Sequence, residues 1–221
     1  MREAFSNELD AINLTLIEMG ELVKLAMADA TASLLTANLT LAEKVIREDI
    51  EIDEIQHDLD ARALMIMARQ APVASDLRAL VASLRMSADL ERMGDLADHV
   101  ARQARMRYPQ SAIPAELNLM VQEMGEVSFR IVEKLVKVIQ HRDIEMALEI
   151  EIDDDAMDKL HSQLMQLLVA PEWTHGVASA IDCTLLGRYY ERYSDHAVSI
   201  ARRVYFLVTG EFATARDQRL P

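Results

Sequence analysis

Two stretches of this sequence set carboxylates in line with residues that a helix would bury. Glu91-Arg92-Met93-Gly94-Asp95 returns one hundred positions later as Glu191-Arg192-Tyr193-Ser194-Asp195. A four-residue separation puts the Glu and the Asp on one helix face. In the first copy that face begins with Leu77, Leu80 or Val81, Leu84 and Ala88, and it runs on through Glu91, Asp95 and Asp98. This is the 3–4–3–4 pattern of a packed seam, so the acids are expected on it. Upstream of each copy lies a partner. Val45, Asp49, Ile52, Ile55 and Leu59 form one seam with Asp53 at its edge; Ile150, Asp154, Met157, Leu160 and Leu164 form the other with Asp158 at its edge. Glu149 and Asp153 have the same spacing, but in that register the apolar match is poorer, which favours Asp154 and Asp158.

If the helices carrying these pairs run antiparallel, Asp49 and Asp53 face Glu91 and Asp95, and Asp154 and Asp158 face Glu191 and Asp195. Two like charges about 4 Å apart repel by roughly 4 kcal/mol at an effective dielectric near 20, against a domain stability on the order of 5–15 kcal/mol. Raised pKa values, arginine partners or a bound cation would relieve the repulsion. All-oxygen sites suit hard cations, and carboxylate clusters in helix bundles hold divalent or multinuclear metal, here iron or magnesium, manganese or zinc. The competing account is an ion-pair network drawing on Arg92, Arg192, Arg78 and Arg85. Metal binding is the favoured reading because the pairs lie on the seam and occur in both copies.

Histidines add less. Glu54 and His57 have the Glu-x-x-His spacing of di-iron carboxylate bundles, but the corresponding positions hold Lys159 and Ser162. His57 then reads as a solvated residue, while His99 and His196 lie close enough to the motifs to extend a cluster. No Ser/His/Asp arrangement, glycine-rich phosphate loop or cysteine pair appears. The alternative is a ferritin-like di-iron oxidase or storage protein.

Prolines show which elements must position these acids. Pro72 and Pro171 interrupt long periodic stretches, and Pro109 and Pro114 bracket a short polar segment. Thr40 with Glu43 has the form of a capping box, and Asp143 that of an N-cap. The expected elements are six long helices at about 6–36, 40–70, 75–108, 115–140, 143–169 and 174–209, with no strands. The halves repeat. Glu18-Met19-Gly20-Glu21 returns as Glu123-Met124-Gly125-Glu126, 105 positions on, and the offset has fallen to 100 by Glu91 and Glu191. The all-α chain therefore reads as two tandem three-helix bundles, 1–109 and 114–212, each with its own core, and a tail at 213–221.

Composition agrees. Gly (6) and Pro (5) are scarce among 221 residues, and 13 Met make the core aliphatic and adaptable. A net charge of −14 argues against nucleic acid as a partner. Arg102, Arg105 and Arg107 read as cations at a helix C-terminus. The single Cys183 excludes an internal disulfide and reads as a small core residue. No apolar run is long enough to span a bilayer. The start, Met1-Arg2-Glu3, lacks a signal pattern. A cytoplasmic protein is expected, reaching a membrane only through partners.

The two signatures, together with Arg69-Gln70-Ala71-Pro72-Val73-Ala74-Ser75-Asp76-Leu77-Arg78 and the six-helix repeat over about residues 3–210, resemble the PhoU family of bacterial phosphate-signalling regulators. The resemblance implies two three-helix bundles and, in some members, metal clusters on Glu/Asp-x-x-x-Asp pairs. Here those pairs are Asp49, Asp53, Glu91 and Asp95, then Asp154, Asp158, Glu191 and Asp195. It also implies a non-catalytic negative regulator of phosphate uptake and the starvation response. Such a regulator is an adaptor between a phosphate ABC transporter, through its ATPase subunit, and a sensor histidine kinase, and is often a homodimer. Ser194 replaces the signature glycine in the second copy, and the connector before it lacks Ser-Asp-Leu-Arg.

Overall fold

The structure, a computed structural model, describes residues 2–211; the expected tail at 213–221 lies outside them. It is built of α1 (Arg2–Thr36), α2 (Leu39–Gln70), α3 (Ser75–Arg107), α4 (Asn118–His141), α5 (Ile144–Val169) and α6 (Gly176–Thr209). A short 3-10 turn, Ala115–Leu117, leads into α4. No strand occurs among the described residues. Each run starts and stops for a local reason. Asp143 caps α5, its Oδ1 accepting from the Met146 amide at 3.0 Å, as the sequence predicts. At α2 the expected cap is displaced. Asn38, not Thr40, accepts from the Leu41 amide at 3.1 Å, and Thr40 lies inside the helix. Ala71 and Arg142 end α2 and α4 in the left-handed conformation, each closing the last turn through its own N–H. Asn38→Ala is expected to cost about 1 kcal/mol, by loss of one satisfied amide, a drop in urea midpoint with an unchanged slope.

Helices α1–α3 and α4–α6 form the two bundles, and α1 packs on α4 and α3 on α6 across them. Buried residues of both halves make one continuous cluster, so the two separate cores expected from the repeat are a single core. The joint is pseudo-symmetric. A Cβ on Gly20 would lie 2.9 Å from Val136 Cγ2, and one on Gly125 would lie 2.6 Å from Thr31 Cγ2. Gly20 and Gly125, and Thr31 and Val136, are both related by the 105-position repeat. Between α3 and α6 the exchange recurs: Asp89 meets Ser199 while His99 stacks on Tyr189, each position one hundred residues from its counterpart.

The buried surface of α3 is not the predicted seam. Leu80, Ser83, Ser87, Leu90, Met93, Gly94, Ala97 and Ala101 are buried, whereas Leu77, Val81 and Ala88 are exposed. Because α3 packs against α1, α2 and α6, small residues let backbones approach on the side that an apolar count undervalues. Glu91 and Asp95 consequently flank the core, their side chains 22% and 31% exposed.

Candidate functional site

Helix α2 brings Asp49 to α3. Val45, Ile52 and Leu59 anchor its buried stripe, and Asp49 occupies the half-buried turn between them. Gly94 makes room for it: a Cβ there would lie 3.1 Å from Asp49 Oδ1 and 3.0 Å from Ile52 Cδ1. Burial, then the charges of Asp98, Asp53, Asp95 and Glu91, push the Asp49 carboxyl up to about 7. Glu91 is raised by burial and by Asp95, with Arg92 opposing. All four residues expected in the first cluster therefore feel one another, and Asp98, legible in the sequence only as the end of a seam, joins them as a buried fifth acid.

The second cluster repeats the arrangement on α5 and α6. Asp154 is pushed up to about 7 by burial and by Asp158, Asp195, Asp155 and Glu191. The alternative register points elsewhere: Asp153 and Glu149 pair with Lys134 of α4, each at 2.9 Å. Burial and Asp195 raise Glu191 against the opposing charge of Arg188. Ser194 stands toward this cluster as Gly94 stands toward the first. Its hydroxyl is buried without a hydrogen-bond partner, as is Asp154 Oδ1.

Two features bear on whether a metal suits these clusters. The donors are carboxylates, matched to hard cations, and Asp154 Oδ1 is buried without a hydrogen-bond partner, an acceptor that a cation or a proton would satisfy. As the side chains stand, no three acid, His or Cys groups among the described residues converge closely enough to hold an ion. Arginines occupy part of the acids instead: Arg92 reaches Asp95 at 2.6 Å and Glu91 at 3.5 Å, and Arg188 pairs with Glu191. The donor chemistry fits, with Arg92 and Arg188, both exposed, as the groups that would swing aside.

Several other expectations are corrected. His196 bonds to Asp89 at 3.0 Å and His99 stacks on Tyr189, so both serve the bundle joint and neither extends a cluster. His57, exposed on α2, lies near enough to Glu91 to stabilise its charge, and His161 does the same for Glu191. The repeat does not point to His161, because it sits 104 positions from His57, one off the offset. Of the arginines expected to pair with the acids only Arg92 does so, and Arg188 takes the place of Arg192. Arg102 and Arg107, which read as helix-end cations, pair with the buried Asp98 and Asp182. Cys183 is buried as expected, and burial pushes its thiol up to about 11.

The model of the PhoU domain matches residues 16–104 and again 121–204. This chain belongs to the PhoU family. Phosphate-specific transport system accessory protein PhoU homolog 2 of Mycobacterium tuberculosis is 47% identical over 96% of this chain and 100% of its own length. PhoU homolog 1 of Mycobacterium leprae is 46% identical over 96% of both chains. The crystal structure of PhoU from Pseudomonas aeruginosa superposes with a TM-score of 0.85 at 29% identity, covering 94% of this chain and 100% of that one. The regulatory protein PhoU from Streptococcus pneumoniae gives the same TM-score at 22% identity over 95% of this chain and 99% of its own, a likeness of fold. The six-helix, two-repeat PhoU architecture read from the sequence is thus the fold of this chain. Among the described residues, no helix is long and apolar enough to cross a membrane.

Proposed function

We propose that this chain is a regulatory accessory protein of phosphate uptake. In this reading it represses the starvation response by linking the ATPase subunit of a phosphate ABC transporter to a sensor histidine kinase. The observation that carries the reading is its similarity, over nearly its whole length, to mycobacterial proteins named as phosphate-specific transport system accessory proteins. Deleting the gene is expected to derepress starvation genes at high phosphate, read by transcript measurement; unchanged repression would overturn the adaptor role. The acidic clusters are, in the same proposal, metal sites. Asp49, Asp53, Glu91 and Asp95 would hold one, and Asp154, Asp158, Glu191 and Asp195 the other. A bound cation supplies charge neutralisation there, and the residues tie α2 to α3 and α5 to α6. Protein purified without chelator is expected to carry metal by elemental analysis. Asp95→Asn and Asp195→Asn are each expected to lose about half of it while keeping their helicity. Zero stoichiometry in the parent protein would end the metal proposal. The di-iron oxidase alternative draws no support from the geometry, since Glu54 is exposed on α2 and its repeat partner is a lysine.

A further inference from the structure

The joint between the bundles contains a cleft that borders the second acidic cluster and is left open by the helix packing. It is a half-open cleft of about 600 Å³ between the first half of α3 and the second half of α6, with Asp154 of α5 at its edge, the size of a small-molecule site. Leu77 and Val81 on α3, and Val198 and Phe206 on α6, form its apolar walls, with Arg78, Arg85, Arg202 and Arg203 around them. Two of these arginines are already committed. Arg202 pairs with Glu151, and Arg203 with Asp89, itself held by His196 and Ser199. The other two have no carboxylate partner among the described residues. Arg78 lies over the Phe206 ring, 5.2 Å from its centroid. Arg85 is seven residues on, about 10 Å along the same helix face. Asp154 and Asp195 also line the cleft, and Asp195 adjoins His196, which marks the Asp89 end.

The pseudo-twofold relation supplies an internal comparison. Across it, the positions of Arg78 and Arg85 are Ala178 and Leu185, and those of Ala82 and Val198 are Asp182 and Asp98. On that side the buried aspartates accept from Arg107 and Arg102, so its cations are satisfied from within. On the cleft side the same fold does without the aspartates at these two positions, keeps its walls apolar and, among the described residues, gives two guanidiniums no carboxylate partner. A chain with net charge −14 has carboxylates in excess, yet among the described residues none pairs with these two. Planar guanidiniums unmatched beside an apolar wall are the complement of a molecule that carries multiple anionic oxygens at one end and a carbon body at the other.

We infer that the cleft between α3 and α6 binds an organic phosphate of the nucleoside polyphosphate class, its phosphates on Arg78 and Arg85 and its carbon body against Leu77, Val81, Val198 and Phe206. Because its walls come from both bundles, occupancy ties α3 to α6 at the Asp89 joint. Asp154 and Asp195 are shared with the second acidic cluster, so the titration is run on chelator-treated protein, in which no metal can bridge ATP to them.

ATP is the probe, titrated into the full chain by calorimetry beside AMP and inorganic phosphate. Saturable binding of ATP that weakens with salt is expected, with inorganic phosphate about tenfold weaker or more for want of the apolar contacts. Arg78→Gln and Arg85→Gln are each expected to weaken ATP about tenfold, by loss of a charge-assisted contact. Arg62→Gln, whose side chain pairs with Glu8 of α1 and does not line the cleft, is expected to leave binding unchanged. Photolabelling of the unaltered protein with an azido-ATP is expected to mark peptides of α3 and α6, a readout that needs no variant to fold. The inference is overturned by no saturable ATP binding, by equal binding in the Arg78→Gln/Arg85→Gln double variant, by inorganic phosphate binding as tightly as ATP, or by label confined to other helices.

Discussion

Gly125→Val is expected to destabilise the protein by roughly 3 kcal/mol, as overpacking of a closed interface does, lowering the melting temperature by roughly 6–12 °C for a chain of this size. The reason lies on α1. A Cβ on Gly125 meets three Thr31 atoms, Cγ2 at 2.6 Å, Oγ1 at 3.1 Å and Cβ at 3.3 Å, and Thr31 cannot turn away. Its hydroxyl donates to the Met27 carbonyl at 2.8 Å and, its one proton spent, accepts from Tyr190 at 2.8 Å. Rotating Thr31 would strand the hydroxyl of a fully buried tyrosine. Gly20, its repeat counterpart, meets only the Val136 methyl at 2.9 Å, which no hydrogen bond holds, so Gly20→Ala is expected to cost less than Gly125→Ala. Thr31→Ser removes the Cγ2 that clashes and keeps the hydroxyl. A double-mutant cycle of Gly125→Ala with Thr31→Ser, read by urea unfolding, should therefore show favourable coupling of about 1 kcal/mol. Strict additivity, or a Gly125→Ala protein as stable as the parent, would refute the tight crossing of α1 and α4.

That crossing also separates what the sequence reveals from what it does not. The repeat of Glu18-Met19-Gly20-Glu21 at Glu123-Met124-Gly125-Glu126 is visible in the sequence, and with it the two-bundle, all-α architecture. The purpose of the glycines is not, because it depends on α1 meeting α4, a contact between halves that periodicity within either half does not encode. The same blindness misplaces the buried face of α3. Counting large apolar residues selects Leu77, Val81 and Leu84, whereas Ser83, Ser87, Gly94 and Ala97 line the real interface because small side chains let helices approach. The seams of α2 and α5 are legible, since those helices lie at the outside of their bundles with one buried stripe each. Asp49 and Asp154 can be found for that reason: an acid interrupting a single clean stripe stands out. Asp98 shows in the sequence only as a seam end and Asp182 not at all, so their arginine partners look like helix-end cations. The helix N-cap at Asn38 is lost to Thr40 by a two-residue register error, the usual scale of uncertainty at helix ends.

Metal-free protein is expected to lose stability as pH rises from about 4 to about 7, the reverse of ordinary acid denaturation. Asp49 and Asp154 are pushed from 3.8 to about 7 by burial and by neighbouring acids. Between those limits the folded chain holds protons that the unfolded chain has released, and stability falls wherever the native state binds more protons. Below about 4 both states are protonated and above about 7 both are ionised, so the slope is confined to that window. A carboxyl displaced that far from its ordinary range costs about 4 kcal/mol at most when it ionises; contact with solvent at these half-buried positions reduces this to about 1–2 kcal/mol each. Asp49→Asn with Asp154→Asn keeps the shape and removes the titration, so the double variant is expected to be more stable than the parent at pH 8 by about 2–4 kcal/mol and flatter between pH 4 and 7. The net charge of −14 also opposes folding as pH rises, but it changes little in the variant, so the difference between the two curves isolates the two aspartates. Parallel curves would mean that neither carboxyl is perturbed. Manganese or magnesium added at pH 8 separates the remedies for crowded charge. If a cation is the intended partner, it should raise the melting temperature of the parent more than that of the double variant, which lacks one of the four carboxylates of each proposed site.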